Sequence, residues 1–147
     1  MNNSLSHRVR SAPRVRETGH AENDNGVLPK TQGQREVEIA EAVVNYHRTR
    51  NGRGPEQSRA YLLDDMVLIR QRGTFTPAET RLARSSDGWD LLKQMRRKLT
   101  EINESEFTEL IETLTGRRVK ELYSDTSRTG DRIDLFILDR DWDSPAS

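Results

Sequence analysis

The sequence predicts an α+β fold, a four-stranded, mostly antiparallel sheet covered on one face by helices in the order α-β-β-α-α-β-β, and three observations predict it. Apolar residues recur at helical spacing from Gln34 to about residue 50 and again from Trp89 to Leu114. Each of these stretches closes on a glycine, Gly52 or Gly116, and is followed by two short apolar runs of strand type. Between them lie Gly52-Arg53-Gly54-Pro55, Asp64-Asp65 and Thr76-Pro77-Ala78-Glu79, turn and cap signals that fix where one backbone element stops and the next starts.

In the first helix Val37, Ile39, Ala40, Val43, Val44 and Tyr46 share a face, with Glu36, Glu38, Glu41 and Arg48 largely opposite. It is expected to end near Asn51-Gly52, where glycine closes the last turn. After Pro55, Arg59 to Leu63 and Met66 to Arg70 read as a hairpin whose turn is Asp64-Asp65, and Gly73 ends its second strand. Thr76 then caps a short helix with Pro77 at its first position and Glu79 reaching back to the cap amide. That helix is expected to carry Leu82 inward and to stop by Asp87-Gly88.

The longest helical pattern is expected to begin near Trp89 and to bury Leu92, Met95, Leu99 and Ile102, with Arg96, Arg97 and Lys98 between them. Its period slips at Asn103 and restarts with Phe107, Leu110, Ile111 and Leu114, which gives either one bent helix or two. Val119 to Tyr123 and Ile133 to Leu138 read as strands around Ser124 to Gly130, a loop dense in turn residues. The two halves share a plan, a helix closed by glycine and then a hairpin, so a pseudo-repeat is expected with residues 74 to 88 inserted between the units. Four strands leave two open edges, which predicts a homodimer or another edge cover.

The hydrophobic fraction is 32% and the charged fraction 33%, against roughly 45–50% and 25% in average globular domains. The chain of 147 residues therefore reads as a folded body over 34–139 with a disordered basic tail over 1–33 and a frayed acidic terminus over 140–147. The 24 basic and 24 acidic residues cancel, so no bulk charge draws the protein to nucleic acid or anionic lipid. Cysteine is absent, which excludes disulfides and thiolate chemistry. No run approaches the ~18 apolar residues of a membrane span, and the Arg-rich start lacks the apolar core of a secretory signal. A cytoplasmic protein is expected, one that reaches a membrane through a partner.

No residue set forms a recognisable catalytic or metal centre, so neither an enzyme nor a cofactor is expected. Asp139, Asp141 and Asp143 alternate like the start of a calcium loop, but Ser144 stands where such a loop needs glycine. His7, His20 and His47 are scattered, and His47 is expected on a helix surface. Gly52-x-Gly54 follows a helix instead of a strand, so it is no dinucleotide fingerprint. The candidate anion-binding or interaction loop is Asp125, Ser127 and Gly130, whose donors suit bicarbonate or phosphate, with charge from Arg53. Arg96 to Lys98 with Arg117-Arg118 would suit nucleic acid, but few aromatics accompany them and Glu101, Glu104 and Glu106 interrupt the positive field.

The ordered series Gly52, Gly54 and Pro55, then Asp64-Asp65-Met66, Gly73, Thr76-Pro77-Ala78-Glu79, Arg96-Arg97, Thr115-Gly116 and Ser124-Asp125-x-Ser127 with Gly130 resembles the small bacterial MpsC family over roughly residues 34 to 139. That resemblance implies a noncatalytic accessory component of a Na+-translocating, membrane-potential-generating system linked to inorganic-carbon uptake. The partners it implies are proteins, a membrane transport subunit among them. Two alternatives stand beside it. One is a nucleic-acid-associated module using the basic tail and Arg96 to Lys98; the other is a small anion-binding sensor at Ser124 to Gly130.

Overall fold

Thr31 opens the first helix: its hydroxyl accepts a hydrogen bond from the Gln34 amide while the Gln34 side-chain oxygen accepts one from the Thr31 amide, so two orphan donors are satisfied together. The computed structural model describes residues 28–145, and most of the expected disordered tail lies outside them. The chain divides into Met1–Lys30 and Thr31–Ser147, and every element among the described residues lies in the second unit. These are α1 (Gln32–Asn51), β1 (Gln57–Leu63), β2 (Met66–Arg72), α2 (Pro77–Leu82), α3 (Ser86–Thr115), β3 (Val119–Thr126) and β4 (Arg132–Leu138). The α+β order is as the sequence predicts.

The four strands pair antiparallel throughout in the order β1-β2-β4-β3. Alternation then divides the sheet into two faces. One carries Ala60, Leu62, Val67, Ile69, Phe136 and Leu138, all buried against Ile39, Ala40 and Val43 of α1 and Phe107 and Ile111 of α3. Phe107 meets Phe136 edge to face, with ring centroids 5.0 Å apart, a geometry that adds to the area both rings bury. The central strands β2 and β4 are the inner halves of two helix-hairpin units, which is the arrangement the expected pseudo-repeat describes.

Among the described residues no helix shares a core cluster with the opposite face. Tyr61, Leu63, Tyr123 and Ile133 there are between 38% and 59% exposed. Both sheet edges carry a helix carboxylate: Glu36 accepts from the Leu62 amide at 2.8 Å, and Glu112 from the Val119 amide at 3.0 Å. Gln32 also donates to the Leu62 carbonyl at 3.0 Å.

Five expectations need correction. Leu82 is 38% exposed; Ala83 and Phe75 are buried instead, with Leu92, in a small second cluster beside Trp89. The long helix is one element that starts at Ser86, capped by Ser85, so Asp87-Gly88 lies in its first turn. Within it Met95, Leu99 and Ile102 are 45%, 39% and 65% exposed, because only the second half of α3 joins the main core. β3 runs on to Thr126, which shortens the expected loop and places Asp125 on a strand. Residues 140 to 145 are tied down as well: Trp142 packs on the core, its amide donates to Asp64 O at 3.0 Å, and Arg117 binds the carbonyls of Asp141, Trp142 and Ser144.

Candidate functional site

The helix-facing side of the sheet is apolar at one end and polar at the other. The strand register sets Ser58, Gln71, Arg132 and Thr126 in one row across the sheet, next to Ile69, Asp134 and Ser124 in the row beside it. Gln71 is 1% exposed, Arg132 8% and Asp134 0%. Above this polar row a cavity of about 460 Å³ opens between the end of α1, the Arg53-Gly54-Pro55 turn, the Thr74–Glu79 segment and the first half of α3. That is the size of an ordinary small-molecule site.

Arg132 is held by Asp134 through Nε at 3.1 Å and Nη2 at 3.0 Å, and Ser124 adds a hydroxyl to the same carboxylate at 2.5 Å. Nη2 also donates to Thr100 Oγ1 at 3.2 Å, while that hydroxyl donates to the Arg96 carbonyl. The second cavity arginine, Arg96, is fixed by the short helix. Glu79 takes the Thr76 amide on one oxygen and the Arg96 Nε and Nη2 on the other, at 3.1 and 2.8 Å, and the Thr74 carbonyl receives Nη2 at 2.9 Å. The guanidinium lies 4.9 Å above the Phe75 ring. Burial alone would raise the Glu79 carboxyl, but the Thr76 amide and the Arg96 guanidinium together bring it below the ordinary value.

His47 lines the same cavity, between Tyr46 and Phe107, with ring centroids 5.4 and 5.3 Å away. Burial above all, and then the Arg132 charge, push its imidazole down to about 4, so it is neutral at pH 7. Its Nε2 is buried with no hydrogen-bond partner among the described residues, as are Gln71 Nε2 and Ser58 Oγ. Three orphan polar atoms in one region are unusual in a folded domain, where buried donors and acceptors are nearly always paired.

The residues singled out in the sequence lie in several places. Arg53 and Pro55 line the cavity; Asp125, Ser127 and Gly130 do not. Asp125 is exposed on the helix-free sheet face and accepts from the Thr126 amide at 2.9 Å. Ser127 closes the β3–β4 turn on itself by exchanging hydrogen bonds with Thr129, Gly130 and Asp131. Gly130 stands at φ +88° with Phe75 against it, a backbone that side-chain-bearing residues rarely adopt. Arg128 donates to the carbonyls of Ala83 and Arg84 and so clips the β3–β4 turn to the end of α2.

Of the family-motif positions, Gly52 and Gly116 are the C-caps of α1 and α3, and Gly54 packs on Val44. Asp64 and Asp65 form the hairpin turn, and their carbonyls accept from Trp142 and Leu138. Gly73 follows β2 beside the Glu56 side chain, and Thr76, Pro77 and Glu79 make the capping box. His47, Gln71, Thr100, Arg132 and Asp134 were not anticipated as a site. The signal was present in β4, where Arg132-x-Asp134-x-Phe136-x-Leu138 places a charged pair on the same face as buried apolar residues. Among the described residues no group of three or more His, Asp or Glu is placed to hold a metal ion.

Fold and site together define a two-layer α+β domain enclosing a donor-lined, ligand-sized cavity. Residues 31–140 match the family model described as the Na+-translocating membrane potential-generating system (MpsC), and the chain belongs to that family. It is 32% identical over 115 residues to "Uncharacterized protein YbcI" of Bacillus subtilis (strain 168), covering 78% of this chain and 93% of that protein. No solved structure gives a significant match. No helix among the described residues is long and apolar enough to cross a membrane.

Proposed function

We propose that this protein is a noncatalytic accessory component of a Na+-translocating, membrane-potential-generating system, working from the cytoplasmic side as a homodimer that docks a membrane transport subunit. The observation that carries this reading is the family match over residues 31–140. Two apolar surfaces support docking as the mode of action. Leu91, Met95, Leu99 and Ile102 make an exposed stripe along the first half of α3, 39% to 65% exposed, which suits an apolar helix of a partner.

The helix-free sheet face suits a second copy. Its register sets Tyr61, Leu68, Leu135 and Tyr123 in one row and Arg59, Arg70, Ile133 and Asp125 in another. A two-fold axis along the strands lays β1 of one copy over β3 of the next. Tyr61 then faces Tyr123, Leu68 faces Leu135, and Arg59 faces Asp125, a self-complementary pattern of the kind isologous dimers use.

The test is reconstitution of the transport subunits in vesicles with and without this protein, read with a potential-sensitive dye under a sodium gradient. A potential that requires the protein, and that falls when Leu91→Glu and Ile102→Glu are introduced, is expected. An identical potential with and without it would overturn the accessory role.

A further inference from the structure

We propose that the cavity above the polar end of the sheet binds a small organic monocarboxylate, its head on the Gln71–Arg132 floor and its apolar body against Met95, Leu99 and Phe107. Four observations carry this. The floor holds polar groups that the described residues leave unused: Gln71, 1% exposed, has an amide nitrogen with no partner among them, and Arg132 spends its Nε and Nη2 on Asp134 and Thr100 while no hydrogen bond among the described residues engages its Nη1. A buried donor left unpaired loses its hydration without compensation, a cost that an acceptor brought by a ligand would recover.

The second observation is charge. Arg53, Arg96 and Arg132 line the cavity against Glu79 in the wall and Asp134 behind Arg132. Glu79 and Asp134 neutralise Arg96 and Arg132 and His47 is neutral, so Arg53, only loosely paired with Glu56, is the charge that can turn to a monoanion, too little for a phosphate dianion. Arg53 is the loosest of the three, reaching Glu56 at 3.9 Å in solvent. Third, the opposite walls are apolar and ring-bearing, with Met95, Leu99, Tyr46 and Phe107, surface that bicarbonate would leave in water. Fourth, Arg96 and Arg132 are already fixed by Glu79, Thr74, Asp134 and Thr100, so these two leave little side-chain ordering for a ligand to impose.

Calorimetric titration of the full chain with hexanoate, phenylacetate, hexanamide, bicarbonate and phosphate tests the assignment. At least one of the two organic acids is expected to bind with one-to-one stoichiometry. Hexanamide, which lacks the charge, is expected to bind about tenfold more weakly or worse. Gln71→Leu removes the orphan amide and is expected to keep or raise the thermal midpoint while weakening hexanoate by about tenfold. Leu99→Trp fills the apolar side from a partly exposed position and is expected to weaken it at least as much. No binding by either acid, amide binding equal to that of the acid, tighter binding of bicarbonate or phosphate, or unchanged affinity in both variants would each overturn the proposal.

Discussion

Burial first, and then the charge of Arg132, hold the His47 imidazole down at about 4, with Arg96 acting in the same direction and Asp134 opposing them. In the unfolded chain the same group titrates near its ordinary 6.5, so between these values the unfolded state binds more protons and stability rises with pH. The contribution is complete above pH 6.5 and is lost as pH falls toward 4, a total of roughly 3 kcal/mol at most for a shift of this size. Glu79, whose carboxyl is depressed by the Thr76 amide and Arg96 despite its burial, acts with the same sign at lower pH. Urea denaturation at a series of pH values is therefore expected to show a steep acid limb that flattens between pH 6.5 and about 4 in His47→Gln. An unchanged slope in that variant would place the proton uptake elsewhere. None of this was legible in the residue itself. The sequence places His47 on a helix surface, whereas Phe107 of α3 and the cavity wall bury it, contacts from a distant part of the chain.

Helix and hairpin ends were legible wherever a local hydrogen bond decides them. Thr76, Pro77 and Glu79 write a capping box in four residues, and Gly52, Gly116 and Asp64-Asp65 stop their elements where expected. The junction of α2 and α3 was misread because Gly88 looks like a stop, whereas it serves close packing. A Cβ built there would lie 2.1 Å from the Leu82 carbonyl oxygen and 2.7 Å from Ser85 Oγ. Backbone cannot yield as a side chain does, so Gly88→Ala is expected to destabilise the domain by about 2 kcal/mol or more. Gly33→Ala, in the first turn of α1 with nothing within 4 Å, is expected to gain about 0.5–1 kcal/mol from helix propensity. Chemical denaturation of both variants checks the pair; a Gly88→Ala protein as stable as the parent would mean that the junction has slack. The exposed face of α3 was misassigned for a different reason. Periodicity marks Met95, Leu99 and Ile102 as apolar on one side of a helix, and says nothing about whether another element lies under them.

Sheet order and strand register decide what no window of residues contains. The fold class and the pseudo-repeat could be read from the chain, but the cavity exists because β2 and β4 align Gln71 with Arg132 and set Asp134 beside Ile69. The same register supplies the proposed dimer's test. Facing sheets along a two-fold axis bring Arg59 to Asp125 twice per dimer, each exposed pair worth roughly 0.2–1 kcal/mol. Sedimentation of the full chain is expected to show a dimer that Asp125→Arg weakens several-fold, with Arg59→Asp in the same chain restoring it. A parent protein that sediments as a monomer at high micromolar concentration would end that reading. The carboxylates of Glu36 and Glu112 bear on the same question from the side. Each grips an amide on an outermost strand, Leu62 or Val119, that a visiting chain would need for its own ladder. Fibrillar growth by lateral addition would first have to break those bonds, so crowding favours association that saturates over open-ended polymerisation.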